Sequence, residues 1–400
     1  MRHAVPTVTL IAAGLVAIGA PTWALASTAS PSAASAAAAK AQPDSFKQTN
    51  LIANKASFKA KLVDKNLTNA WGLAASPSSP IWVSDNDSGL ASVYSGGIKG
   101  SAVSLDLTVP VPGGHPTGQV FNSDSAAFPV GGSSGMAADF IVDTDSVGTA
   151  KSSGEIAAWN GGASFVVEDS PKGGAGGKTP AHAVFMGLAI ATTPSAGPEL
   201  FAADIANARV DVFNRNFRPL STPGEFRDAR TAGYAPFGIQ VLNNRVYVAY
   251  AKQNKSKTSF VVGKGLGFVD VYNVNGKLIK RLAAHGALNA PWGLAIAPKG
   301  FGPFAGALLV GNLGNGWINA YNPTTGKYLG WLKYANGRPV AISGLWGLMV
   351  GNSAFGGASS IVFSAGPNGY ANGLVGVLNP TAPVKAAPAP TPSPTYPGGW

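Results

Sequence analysis

The sequence has no cysteine among its 400 residues. That excludes disulfides, thiolate metal sites, thiol nucleophiles and lipid attachment through an N-terminal cysteine, so stability must come from packing and from how the chain closes on itself. Charge is scarce, at 12% Asp, Glu, Lys and Arg. Acid is missing from the last third of the chain, because all 18 carboxylates lie at or before Asp270. Histidine is confined to His3, His115, His182 and His285. No spacing of Ser, His and Asp marks a nucleophile with its base. The N-terminal apolar run Val8 to Ala20 is short for a bilayer span, and no other stretch could cross one.

What is present is glycine, proline and apolar side chains: 52 Gly, 30 Pro and 46% hydrophobic residues, the profile of an all-β protein with many turns. Residues 1–26 read as a secretory signal peptide. Arg2 and His3 form its basic end, Val8 to Ala20 its apolar run and Ala24-Leu25-Ala26 its cleavage site. Residues 27–45 read as an Ala/Ser-rich linker, 46–381 as the folded domain and 382–400 as a Pro/Ala-rich disordered tail. This predicts a secreted, extracellular or periplasmic monomer with no membrane span once the leader is cleaved.

The domain is a repeat. Ala70-Trp71-Gly72-Leu73-Ala74 recurs as Pro116-Thr117-Gly118-Gln119-Val120, Phe185-Met186-Gly187-Leu188-Ala189, Pro236-Phe237-Gly238-Ile239-Gln240, Pro291-Trp292-Gly293-Leu294-Ala295 and Leu345-Trp346-Gly347-Leu348-Met349. A second series keeps step with it: Val93-Tyr94, Ala158-Trp159-Asn160, Val212-Phe213-Asn214, Val271-Tyr272-Asn273, Ala320-Tyr321-Asn322 and Val377-Leu378-Asn379. Four short strands per period match one propeller blade. The fold class predicted is therefore all-β: a six-bladed β-propeller of four-stranded antiparallel blades. Glycine is expected where the innermost strands converge on the axis, and Asn where a tight turn follows the third strand. The last blade runs out at Pro380 without a fourth strand, and the alternating segment Phe46 to Val63 is predicted to supply it.

These motifs, with Leu67-Thr68-Asn69 before the first and Gly265-Leu266-Gly267-Phe268-Val269-Asp270 in the fourth period, resemble a family of uncharacterised secreted bacterial proteins. That family is predicted to consist of six-bladed NHL-type propellers, and some members carry a PEP-CTERM sorting segment. The resemblance spans roughly Gln48 to Leu378 and implies the fold, with no activity attached. The chain departs from the family at Ala365-Gly366-Pro367-Asn368-Gly369-Tyr370, where acidic residues and a histidine are usual. Its tail has no apolar sorting helix followed by arginines.

Four groups of residues are candidates for chemistry. Asp85, Asp143 and Asp204 read as equivalent ends of three consecutive second strands, with Asn312 in the same slot, and form either turn caps or a divalent-metal site at one mouth. Asp85-Asn86-Asp87 and Asp143-Thr144-Asp145 start like calcium loops but lack the later ligands, leaving weak calcium as the sole cofactor expectation. The residues before the repeat glycines include Trp71, Phe237, Trp292 and Trp346, which either pack between blades or form an aromatic collar suited to sugars or apolar ligands. Lys252, Lys255, Lys257 and Lys264 lie on a long insertion in the fourth period, within a chain of net charge +11. They fit an anionic polysaccharide or cell-envelope polymer better than nucleic acid, for which no motif is present. The histidines read as loop residues, and Gly173 to Lys178 as a flexible loop whose glycine spacing is too short to cradle phosphate. The leading functional expectation is a non-enzymatic propeller that binds an extracellular ligand or protein. A metal-dependent hydrolase or lactonase and a structural matrix protein are the alternatives.

Overall fold

The computed structural model describes residues 44–132, 135–145, 154–169, 183–222 and 224–381. The signal-peptide, linker and tail expectations, like His182 and the loop Gly173 to Lys178, lie outside them. The chain is a six-bladed β-propeller, with helical structure among the described residues limited to four short 3₁₀ turns.

Blade one comprises Ala70–Ala74, Ile81–Asp85, Leu90–Gly96 and Val103–Pro110; blade two Pro116–Phe121, Phe140–Thr144, Ile156–Trp159 and Val166–Asp169. Blade three comprises Phe185–Thr193, Gly197–Asp204, Arg209–Asn214 and Pro219–Leu220; blade four Tyr234–Leu242, Arg245–Gln253, Phe268–Tyr272 and Leu278–Ala284. Blade five comprises Pro291–Ile296, Leu308–Asn312, Ile318–Tyr321 and Tyr328–Trp331. Blade six takes Leu345–Val350, Ile361–Ala365 and Leu374–Thr381 from the C-terminal side and Ser45–Ala53 from the N-terminal side.

That last pairing closes the ring. Ser45–Ala53 runs antiparallel to Leu374–Thr381, from Ser45 opposite Thr381 to Ala53 opposite Leu374, and removes the edge that an open sheet would expose. The closing strand is shorter than the segment Phe46–Val63 predicted from alternation. It stops at Ala53, and a 3₁₀ turn at Ala56–Phe58 follows, ended by Lys59 at φ 51°. The chain then returns as Leu62–Val63, parallel to the closing strand.

Each blade is sandwiched, so both faces of its inner strands are buried, and every interface between neighbours has its own core; outermost strands such as Val103–Pro110 and Tyr328–Trp331 stay largely exposed. Phe201, Phe226, Tyr250 and Tyr272 fill the one between blades three and four; Trp82, Phe140 and Phe165 fill the one between blades one and two. The repeat glycines sit where the innermost strands meet. A Cβ on Gly72 would lie 2.2 Å from the Thr117 carbonyl oxygen, and one on Gly238 2.1 Å from that of Trp292. Gly347 faces the Trp71 carbonyl in the same way, which carries the contact around from blade six to blade one. No side chain fits at these distances. Asn214, Asn273 and Asn322 cap the turns after their third strands as expected, each side-chain oxygen accepting two backbone N–H groups. They do so without positive φ, because the side-chain bond alone satisfies the turn.

Candidate functional site along the axis

The first and second strands slip register at the same place in every blade: Ala70/Leu73, Pro116/Gln119, Phe185/Leu188, Pro236/Gly238, Pro291/Leu294 and Leu345/Leu348. Each slip falls at the repeat dipeptide. A bulge re-aims the side chains around it, and here the residue before glycine turns toward the axis. Those residues meet there. Trp346 stacks on Trp71 with ring centroids 3.5 Å apart, and Trp292 stands edge-on to both at 6.0 and 6.4 Å. Phe237 adds an edge contact to Trp346 at 5.9 Å. The indole N–H of Trp346 donates to Asn69 Oδ1 and that of Trp292 to the Met186 carbonyl.

The four predicted aromatics are thus brought together as a plug across the axis rather than as packing confined between adjacent blades. Trp71, Phe237 and Trp346 are 4%, 0% and 1% exposed, with Trp292 half-buried. The blade-four insertion completes the plug. Its short strand Phe260–Val261 pairs with Lys252 and Gln253, and Phe260 wedges its ring 4.6 Å from Phe237 and 6.1 Å from Trp346. Lys252 lies on the second strand itself rather than on the insertion, which carries Lys255, Lys257 and Lys264; all four are exposed and without an ion pair among the described residues.

The three aspartates lie at the same end of the ring but do not share a slot. Asp85 faces Ala70, Asp204 faces Phe185 and Asn312 faces Pro291, whereas the blade-two residue facing Pro116 is Thr144. Asp143 is one residue early and, by strand alternation, points to the opposite side. The run Asp143-Thr144-Asp145 offers two acidic registers on either side of the true one, which is why sequence alignment of the blades misplaces it. Asp204 caps a turn: Oδ1 accepts the N–H groups of Val184, Ala206 and Asn207, and Oδ2 the amide of Asn207. Asp85 is fully buried and accepts the Ser92 hydroxyl at 2.5 Å; burial pushes its carboxyl well above the usual range, against that bond. Asp143 accepts the Thr117 hydroxyl and the Gly118 N–H, yet burial still pushes it up to about 7. Among the described residues no three His, Asp or Glu side chains converge as a metal group. His115 and His285 are exposed loop residues at positive φ.

The opposite end of the axis is chemically different. Where the innermost strands finish, a mouth of about 740 Å³ opens, walled by Leu242, Leu294, Ile296, Leu348, Met349 and Val350 and rimmed by Ser76, Gln240, Asn243 and Asn352. Four blades contribute to it, and no side chain that titrates lines it. Below it lies a cavity of about 20 Å³ enclosed by Leu73, Gln119, Leu188, Ile239, Trp292, Leu294 and Leu348, sharing Gln240, Leu294 and Leu348 with the mouth. Gln119 was not singled out from sequence. Its signal was available, as the one amide among the six residues that follow the repeat glycines.

No family model matches the chain. Two uncharacterised proteins of Acanthamoeba polyphaga mimivirus are each 34% identical to it over 200 residues, covering 49% of this chain and 51% and 48% of theirs. A third from the same virus is 28% identical over 239 residues, covering 58% of this chain and 42% of its own. The chain spans about half the length of the curated relatives it matches. These relatives are viral rather than bacterial, so what stands of the resemblance drawn from the motifs is a six-bladed propeller in uncharacterised company. Among solved structures, a glucose dehydrogenase is similar with a TM-score of 0.49 and 11% identity, over 78% of this chain and 96% of that one. The PQQ-bound aldose sugar dehydrogenase of Streptomyces coelicolor is similar with a TM-score of 0.45 and 12% identity, over 85% and 100%. Likeness at this level concerns chain path and says nothing of activity.

Proposed function

We propose that this chain is a non-enzymatic binding propeller acting outside the cell, which takes a ligand at the axial mouth. The observation that carries the reading is the mouth itself: about 740 Å³, inside the range of small-molecule sites, walled by aliphatic side chains from four blades and free of titratable groups. Such a lining can desolvate and orient a ligand, but it offers no general acid, base or nucleophile. The lactonase alternative would need carboxylates or amides converging on a metal. Asp204 has its oxygens committed to a turn, and Asp143 faces away from the slot of Asp85. The extracellular setting rests on the leader-like N-terminus and on the resemblance to secreted NHL-type proteins.

The test is a calorimetric screen of neutral apolar molecules, sugars and lactones against the mature domain, with Met349→Trp, at a half-buried wall residue, as a variant that blocks the mouth. Binding abolished by that variant supports the reading; turnover of any lactone would replace it with the enzymatic one. A second surface has its own support. The four exposed, unpaired lysines around Phe260 suit an anionic polysaccharide or envelope polymer, and retention on such a polymer should fall steeply with salt.

A further inference from the structure

Six residues follow the six repeat glycines and form one layer around the axis: Leu73, Gln119, Leu188, Ile239, Leu294 and Leu348. All are buried, from 3% to 8% exposed, and five are aliphatic. Gln119 breaks the pattern at 5% exposure. One end of its amide meets Ser84 Oγ at 3.2 Å, whereas Nε2, which could donate two hydrogen bonds, has no partner among the described residues. A buried amide left unsatisfied costs stability that a leucine there would not. Two other positions show that the apolar solution fits, since Ala203 precedes Ile239 and Ala249 precedes Leu294 where Ser84 precedes Gln119; ahead of Leu188 and Leu73 the residues are Asp143 and Ser364. Departures from a fold's own pattern concentrate at functional positions.

Building on the mouth reading, we propose that the ligand is an apolar molecule bearing one neutral oxygen, a hydroxyl or ketone, whose apolar body fills the mouth while Gln119 receives the oxygen at its floor. The small cavity beside Gln119, about 20 Å³, takes one water-sized group. Gln240, half-buried, lines both spaces and marks the path between them. The walls select against charge. Neither the mouth nor the cavity below it has a Lys, Arg or His to pair a carboxylate, or an Asp or Glu to pair an ammonium, so either ion would be desolvated without compensation.

The probes are 1-octanol, 2-octanone, octanoate and octylamine, titrated calorimetrically into the mature domain and its variants. The two neutral probes should bind, with octanoate and protonated octylamine at least about tenfold weaker. Ser84→Ala with Gln119→Leu, which reproduces the arrangement ahead of Ile239 and Leu294 and leaves no stranded hydroxyl, should weaken 1-octanol about fivefold and raise the melting temperature. If no probe binds the unaltered domain, the mouth reading itself falls. If neutral probes bind and Met349→Trp blocks them while the double variant binds equally well, the mouth stands and the role of Gln119 is overturned. Tight octanoate or octylamine binding overturns the neutral-oxygen class on the unaltered protein. A lower melting temperature in the double variant would show Gln119 to be a structural residue.

Discussion

The two ends of the propeller axis are built from the same six strands and could hardly differ more. At the end where the innermost strands begin lie most of the side chains that draw attention in the sequence: Trp71, Trp292, Trp346, Asp85, Asp143, Asp204, His115, His285 and the lysines of the blade-four insertion. The buried ones are engaged in structure and closed off from solvent, although Trp71 Nε1, Asp85 Oδ1 and Asp143 Oδ2 have no partner among the described residues. The aromatics stack on each other, Asp204 caps a turn, and Asp85 and Asp143 hold a neighbouring hydroxyl. At the other end the residues are Leu, Ile, Val, Met and Ala with a few amides, and there the axis stays open. Chemical richness and availability to a ligand are different properties, and here they are at opposite ends.

Several measurements would break or sharpen that contrast. Both ends depend on ring closure, so deleting residues 44–63 should have the largest effect, abolishing cooperative unfolding in calorimetry. A truncated chain that still melts in one sharp transition would mean that the antiparallel pairing of Ser45–Ala53 with Leu374–Thr381 is dispensable. Next comes the plug itself. Trp346→Ala removes a side chain that touches Trp71, Trp292, Phe237, Phe260 and Tyr370, and should cost about 3–5 kcal/mol. Met349→Ala at the half-buried mouth should cost under about 1 kcal/mol, so comparable losses in chemical denaturation would erase the distinction between a structural and an open end.

A smaller effect is pH-dependent. The Asp143 carboxyl is pushed up to about 7 in the fold, so its contribution to stability is fully present below the unfolded value near 3.8 and is lost as pH rises through about 7. Asp143→Asn keeps an acceptor for Thr117 and Gly118 and cannot ionise. It should match the parent near pH 4 and exceed it by about 1–2 kcal/mol at pH 8; a constant difference across that window would show that the carboxyl does not titrate there. Asp211, pushed up to about 8 chiefly by burial, should leave a residual slope of the same sign in the variant. Asp228 works the other way: its bond from Arg230 holds it down to about 2, and the stability it adds is lost as pH falls toward that value. The smallest effect on stability belongs to the surface. Changing Lys252, Lys255, Lys257 and Lys264 to Gln should shift stability by less than about 0.5 kcal/mol, while removing retention on an anionic polymer column. Unchanged, salt-insensitive retention would take that surface out of consideration.

The sequence by itself determined the number of blades, the place of every innermost strand and the origin of the closing strand. Those features are periodic, and a ring with a common axis brings each repeat glycine against the backbone of the next blade, most tightly at Gly72, Gly118 and Gly238 and most loosely at Gly187. The candidate site was less legible. Sequence placed Trp71, Phe237, Trp292 and Trp346 in equivalent positions, but only the tertiary structure decided that the bulges turn them into one another. It also let Phe260, from an insertion outside the repeat, wedge into the same plug. Asp143 was set one residue out of place because strand register depends on pairing partners, which a single strand's sequence does not contain. The mouth could not be read at all. Leu242, Ile296 and Met349 are far apart in the chain and chemically ordinary, and their cavity exists only because the ring brings the ends of innermost strands from four blades together.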